Sequence, residues 1–152
     1  MIEPRVEFAY EAVAQLGPAV DHGAAPDGQR RHIPILGGTF EGPLLRGEIL
    51  PNGADWQVTR SDGVLVLDAL YAMRTDDDAV IQVRNRGIRF GPPEIMAALA
   101  RGERIDPNSI YFRAAPELVA PAGRYEWLNR ALFLCTGERW ADGIRLWVWK
   151  VV

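Results

Sequence analysis

The 152-residue sequence predicts one mainly β domain over residues 1–152, an antiparallel up-and-down β-barrel with one short helix. Three observations predict it. Apolar residues recur with a period of two between short turn signals, the spacing of half-buried strands. The chain holds 15 glycines and 11 prolines, above the average share and without a collagen-like period, which favours many turns over long helices. The run from Ile144 to Val152 sets Trp147, Trp149 and Val151 against Ile144, Leu146 and Val148, so both of its faces are apolar. Such a strand belongs in a barrel or under a partner. About eight short strands fit either a closed barrel or a two-sheet sandwich. The barrel is preferred, because closure removes unpaired edges and eight strands enclose room for one small ligand.

The elements follow in chain order. Val6 to Val13 alternates weakly, and the stretch from Gly17 to Gly28, with Gly, Pro and Asp at close intervals, reads as a flexible loop. From His32 to Phe40, Ile33, Ile35 and Gly37 share a face, and Gly37-Gly38 can bend or bulge the strand. Leu45 to Leu50 ends at Pro51-Asn52-Gly53, a turn with a proline start and a glycine free to take positive φ. Asp55 to Arg60 follows, and Ser61-Asp62-Gly63 is a hairpin signal before the long run from Val64 to Thr75. Asp76-Asp77-Asp78 reads as a solvated turn rather than a calcium loop, since further oxygen ligands at loop spacing are missing. Ala79 to Ile88 alternates cleanly, with Ile81, Val83 and Asn85 on one face. Pro92 and Pro93 open the helix, Glu94 suits its positive end, Ile95, Met96 and Leu99 recur at helical spacing, and Gly102 stops it. Leu118 and Val119 form a band too short to classify. Strands are then expected over Ser109 to Ala114, Tyr125 to Arg130, Ala131 to Thr136 and Ile144 to Val152.

Composition excludes several function classes. The 17 basic and 20 acidic residues give a net charge of −3, with no positive excess to hold nucleic acid or an anionic membrane. One cysteine excludes an intramolecular disulfide and a cysteine-only zinc site. His22 and His32 stand ten apart without a ligand-spaced partner, so neither a metal nor a cofactor is expected. Gly37-Gly38 lacks the Lys-Ser/Thr pair and helix of a phosphate loop, and Ser61 and Ser109 lie in turns without a nucleophile elbow. Cys135, inside Leu132-Phe133-Leu134-Cys135-Thr136, reads as a small buried hydrophobe. With no leader-like start and no apolar run of 18 residues, a cytoplasmic location is expected.

Several segments fall in the order of one family: Gly38-Thr39-Phe40-Glu41-Gly42-Pro43, Gly47, Pro51-Asn52-Gly53-Ala54-Asp55-Trp56, Thr75-Asp76-Asp77, Asn85-Arg86-Gly87, Tyr111-Phe112-Arg113 and Tyr125-Glu126-Trp127-Leu128-Asn129. The chain resembles, from about Phe8 to Val152, the small bacterial proteins of domain-of-unknown-function family 3237. The resemblance implies an antiparallel β-barrel similar to allene oxide cyclases and lipocalins, and leaves the chemistry open. Two positions depart from the family pattern. Asn52 stands where a first glycine is usual and Asp78 where a glycine completes the turn; both residue types tolerate left-handed backbone.

Polar groups on the apolar face of a barrel strand carry the functional expectation, because burying them costs free energy unless they are partnered or used. Asn85 shares its face with Ile81 and Val83; it either stabilises an oxyanion or satisfies backbone beside Gly87. Asp55 either points inward, where an apolar pocket tunes it as a general base, or caps its turn. Tyr71 shares a face with Leu65, Leu67 and Ala69, and either donates a proton or is a core tyrosine with a backbone partner. Arg113, on one face with Tyr111, is either an inward cation paired with Asp55 or Asp68, or an exposed arginine. Phe40, Trp56, Tyr111 and Trp127 are candidate walls for a substrate, with ordinary core packing as the alternative. Two functions compete on this expectation. One is a cofactor-free lyase, isomerase or cyclase acting by acid–base catalysis on a small apolar carbonyl or enol compound. The other is a lipocalin-like binding protein for a small-molecule ligand. A purely structural subunit is a third, weaker reading, and the two-faced final strand makes a homodimer plausible.

Overall fold

A computed structural model describes all residues, 1–152. The strands are β1 (Val6–Leu16), β2 (Val20–Ala25), β3 (Gly28–Glu41), β4 (Arg46–Ile49), β5 (Gly53–Thr59), β6 (Leu65–Thr75), β7 (Val80–Phe90), β8 (Tyr111–Val119), β9 (Phe133–Trp140) and β10 (Gly143–Val151); the helix α1 is Pro93–Ala100. Every pairing is antiparallel. The sheet runs β1-β10-β9-β8-β7-β6, then through β4 and β5 to β3, and β3 pairs back to β1. β4 and β5 share one stave, β4 beside the C-terminal part of β3 and β5 beside its N-terminal part. The result is a closed eight-stave barrel, with β2 adding a short hairpin to β3. No helix is long and apolar enough to cross a membrane.

Closure depends on sharp bends in long strands. Where β1 meets β3, the register slips so that Leu16 faces Ile35 while Gln15 faces Gly37, leaving Leu36 as an extra residue. This is the bulge that Gly37-Gly38 predicts. A Cβ on Gly38 would stand 2.1 Å from the Val13 carbonyl oxygen, so only glycine allows β1 to approach here. Asn52 (φ 75°) and Asp78 (φ 67°) are the non-glycine residues with positive φ, and both are of the residue types that tolerate left-handed backbone.

The barrel has one plugged end. Tyr10, Phe40, Met73, Ile81, Leu118, Phe133 and Val148 are buried there in one cluster with Leu128, which a 3-10 turn over Glu126–Arg130 carries in. Asp77 ties this turn down by accepting from the Tyr125 hydroxyl at 2.7 Å. At the opposite end α1 leans over the mouth, and its Met96 and Leu99 line an outer cleft.

Two local expectations fail, and one band unclassified from the sequence resolves. The Gly17–Gly28 loop is largely the β2–β3 hairpin, because Pro26-Asp27 makes a tight turn whose flanks pair. Tyr125–Arg130 is a 3-10 turn rather than a strand; Leu128 alone dives into the core, with Asn129 bonded to both backbone groups of Ala120. Leu118 and Val119 are the end of β8, which pairs with β7 along its whole length.

Candidate functional site

Alternation along the staves decides which side chains enter the lumen. β5 sends in Asp55 and Gln57, β6 Leu67, Ala69 and Tyr71, β7 Asn85 and Arg89, β8 Phe112 and Ala114, and β9 Arg139; β1 and β10 add Ala12, Ala14 and Leu146. These surround a cavity of about 50 Å³. That is several times what one ordered water needs. The hollow exists because small residues sit where larger ones would fill it. Asp55 and Asn85 both register with Ala69 from either side, so their backbones stand about 10 Å apart, two strand spacings, over a single methyl group.

The polar groups lie toward the mouth. Asp55 is half-buried; its Oδ1 accepts the Asp68 backbone N–H at 3.0 Å and its Oδ2 accepts the Gln57 side-chain amide at 2.7 Å. Gln57 in turn accepts from Arg31 Nε at 2.7 Å. Desolvation pushes the Asp55 carboxyl above its usual range, against the opposing pull of these hydrogen bonds and of Arg89 and Arg31. Burial raises the Tyr71 hydroxyl well above the ordinary tyrosine range, with a smaller contribution from Cys135, so it stays protonated and keeps a proton to donate. Asn85 offers its amide toward Cys135 Sγ at 3.7 Å, while its buried Oδ1 has no partner. Arg89, 4% exposed, has its guanidinium over the Phe112 ring at 5.6 Å. Burial, with Arg139 and Arg31 nearby, lowers its pKa to about 10, so it remains a cation at neutral pH.

Asp55, Tyr71 and Asn85 therefore line one cavity, and Arg113 does not. Phe112 and Ala114 hold the inward positions of β8, so Arg113 between them faces solvent, donating to the Phe112 carbonyl at 2.8 Å and lying over Tyr111 at 5.0 Å. Its proposed partner Asp68 is also outside, paired with Arg84 at 2.9 Å. Three of the four expected walls are displaced as well. Trp56 is pushed out because Asp55 and Gln57 take the inward sites, and it packs with His22 and His32 on the outer surface. Tyr111 stacks outside on Phe90 at 5.0 Å. Trp127 lies on the plugging turn, 6.3 Å from Phe133, away from the cavity. Phe40 is inward but packs on Tyr10 at the plugged end, below the cavity.

The lumen cation is Arg89, with Gln57 and Arg139 as further polar groups that sequence reading misses. The signal for Arg89 was present: Asn85, Gly87 and Arg89 share parity, but ending the strand at Ile88 cuts it off. Arg139 is lost in the same way, since β9 runs four residues past Thr136.

The chain is thus a closed antiparallel β-barrel whose hollow carries a carboxylate, a tyrosine, an amide and arginines. The family model described as "Protein of unknown function (DUF3237)" matches residues 4–151, and the chain belongs to that family. Among curated relatives, the UPF0311 protein RPA1785 of Rhodopseudomonas palustris is 41% identical over 146 residues, covering 96% of this chain and 95% of that protein. The UPF0311 protein CA_C3321 of Clostridium acetobutylicum is 39% identical over 124 residues, 82% of this chain and 78% of the relative. Among solved structures, the crystal structure of RPA1785 superposes with a TM-score of 0.96 at 39% identity over 100% of both chains. A β-barrel-like protein of Acinetobacter baumannii follows at a TM-score of 0.87 and 34% identity, over 100% of this chain and 98% of that one. An enzyme of Penicillium herquei shares the fold at a TM-score of 0.76 and 20% identity, over 100% of this chain and 97% of that one.

Proposed function

We propose that the barrel takes a small, largely apolar carbonyl or enol compound into its lumen and moves a proton on it, as a cofactor-free lyase, isomerase or cyclase. The observation that carries this reading is the Asp55 carboxylate, raised in pKa by desolvation, in the same apolar hollow as Tyr71 and Asn85. A carboxylate so placed is a stronger base than one in water. Asp55 abstracts the proton, and the Tyr71 hydroxyl and the Asn85 amide donate to the oxygen where negative charge develops. Arg89 adds the fixed positive charge that the sequence had assigned to Arg113.

The test is deuterium exchange at the α-carbons of small cyclic ketones in D2O, followed by proton NMR. Wild-type protein is expected to exceed buffer, and Asp55→Asn to lose at least about a hundredfold, the usual worth of a positioned base. Equal exchange by both proteins discards the assignment. The carrier reading has one observation in its favour: both Asp55 oxygens already accept N–H groups. A bound small molecule retained unchanged, with no exchange by the wild type, supports that alternative. For assembly, we propose a homodimer through the outer face of β1, β10 and β9, where Phe8, Trp149 and Leu134 lie in one register row.

A further inference from the structure

Arg89 is a buried guanidinium without a counter-ion. None of Arg31, Arg89 and Arg139 has a carboxylate oxygen within 4.0 Å, whereas twelve charge pairs elsewhere in the chain do. The Arg89 Nε is buried and has no hydrogen-bond partner. Removing a cation from water without pairing it is costly, and natural proteins accept that cost where an anion binds. The position fits this use. Arg89 and Arg139 line both the inner hollow and the outer cleft under α1, so they form the neck between the two. Charge at the neck is unbalanced, with Arg31, Arg89 and Arg139 set against Asp55 and, near Arg139, Asp142. Asp55 faces it, but its oxygens are taken by Gln57 and the Asp68 N–H. In the outer cleft Asp21 is occupied by the Gly23 N–H and the Gln29 amide, and Arg101 is paired with Glu103. Arg139 gives one N–H to the Gly143 carbonyl and keeps the rest of its fork.

We propose that Arg89 and Arg139 form an anion subsite at this neck, and that the natural ligand is a small apolar molecule carrying one carboxylate. The apolar body enters the hollow walled by Ala12, Leu67 and Phe112, and the carboxylate meets the planar guanidinium forks. A single negative charge is favoured over a dianion because Asp55 shares the neck and repels each added charge. The ligand class rests on reading the lumen as a binding site; the subsite itself does not depend on catalysis.

Calorimetric titration of the full chain at neutral pH and low salt, with butyrate and benzoate against butyramide and benzamide, tests it. The acids are expected to bind at least tenfold more tightly than the amides, and Arg89→Met to remove that preference. Asp55→Asn is expected to tighten the acids by removing a like charge. Equal binding of acid and amide, no binding of either acid, or a preference that survives in R89M overturns the proposal. Inorganic phosphate binding as tightly as benzoate overturns the carboxylate assignment. Should R89M not fold, Arg139→Gln is read in its place, and an undiminished preference there is equally fatal. An intact acid preference without ketone exchange removes only the proton-transfer reading.

Discussion

At the scale of single residues, burial settles behaviour more than identity does. Cys135 is a free thiol sealed in the wall, its Sγ beside the Asn85 amide and the Thr136 carbonyl. Burial pushes its pKa up to about 12. A thiol raised in the folded state holds its proton more tightly than in the unfolded chain. Its contribution to stability is therefore whole below about pH 9 and is lost as pH climbs toward about 12. Because the thiolate is the reactive form, Cys135 is expected to ignore a disulfide reagent at pH 8 in the folded protein and to react fully in denaturant. Rapid labelling of the native chain, read by absorbance, contradicts this. Asp55 is raised by the same cause, yet it faces a hollow rather than packed side chains, and that difference separates a candidate base from an inert group.

At the scale of elements, the barrel closes only where glycine lets strands bend or touch. Replacing Gly38 by alanine puts a methyl group against the Val13 carbonyl and forces the β1–β3 seam apart. The expected cost is about 1–3 kcal/mol, the range for overpacking a tight site, and thermal unfolding measures it. An unchanged melting temperature would mean that the seam yields freely. Elements were legible in sequence where one face is apolar and the turn chemistry is strong. β6, β7 and α1 fall within two or three residues of expectation. Legibility failed where tertiary contact overrides local pattern. Tyr125–Arg130 looks strand-like in isolation but becomes a plug because Leu128 has a core to enter. At Arg113 the two faces of the strand were told apart correctly and the wrong one was turned inward. Phe112 and Ala114 are the apolar pair, and a barrel wall buries that side.

At the scale of the molecule, the closed architecture was legible because a strand apolar on both faces fits few alternatives. The lumen's contents were legible only in part: Tyr71 and Asn85 follow from parity, Asp55 stays open in sequence between the lumen and a turn cap, and Arg89 and Arg139 depend on how far two strands extend. The outer surface retains apolar groups that closure does not hide. Val6 and Phe8 on β1, and Leu134 on β9 with Leu132 just before it, are exposed on either side of β10, and Phe8 meets Trp149 edge-to-face at 5.3 Å. A second copy seated on this strip is expected to give twice the chain mass in light scattering, and Leu134→Glu to restore the single-chain mass; a wild-type protein at the single-chain mass removes the dimer proposal. The plug on one end has its own consequence. A barrel stoppered by Leu128 is a cup rather than a tube, with a single rim for arrival and departure. Any molecule lodged between the arginines at that rim blocks traffic both ways, so a bulky acid too wide for the hollow acts as a cork, slowing release of what lies inside as well as barring what comes next.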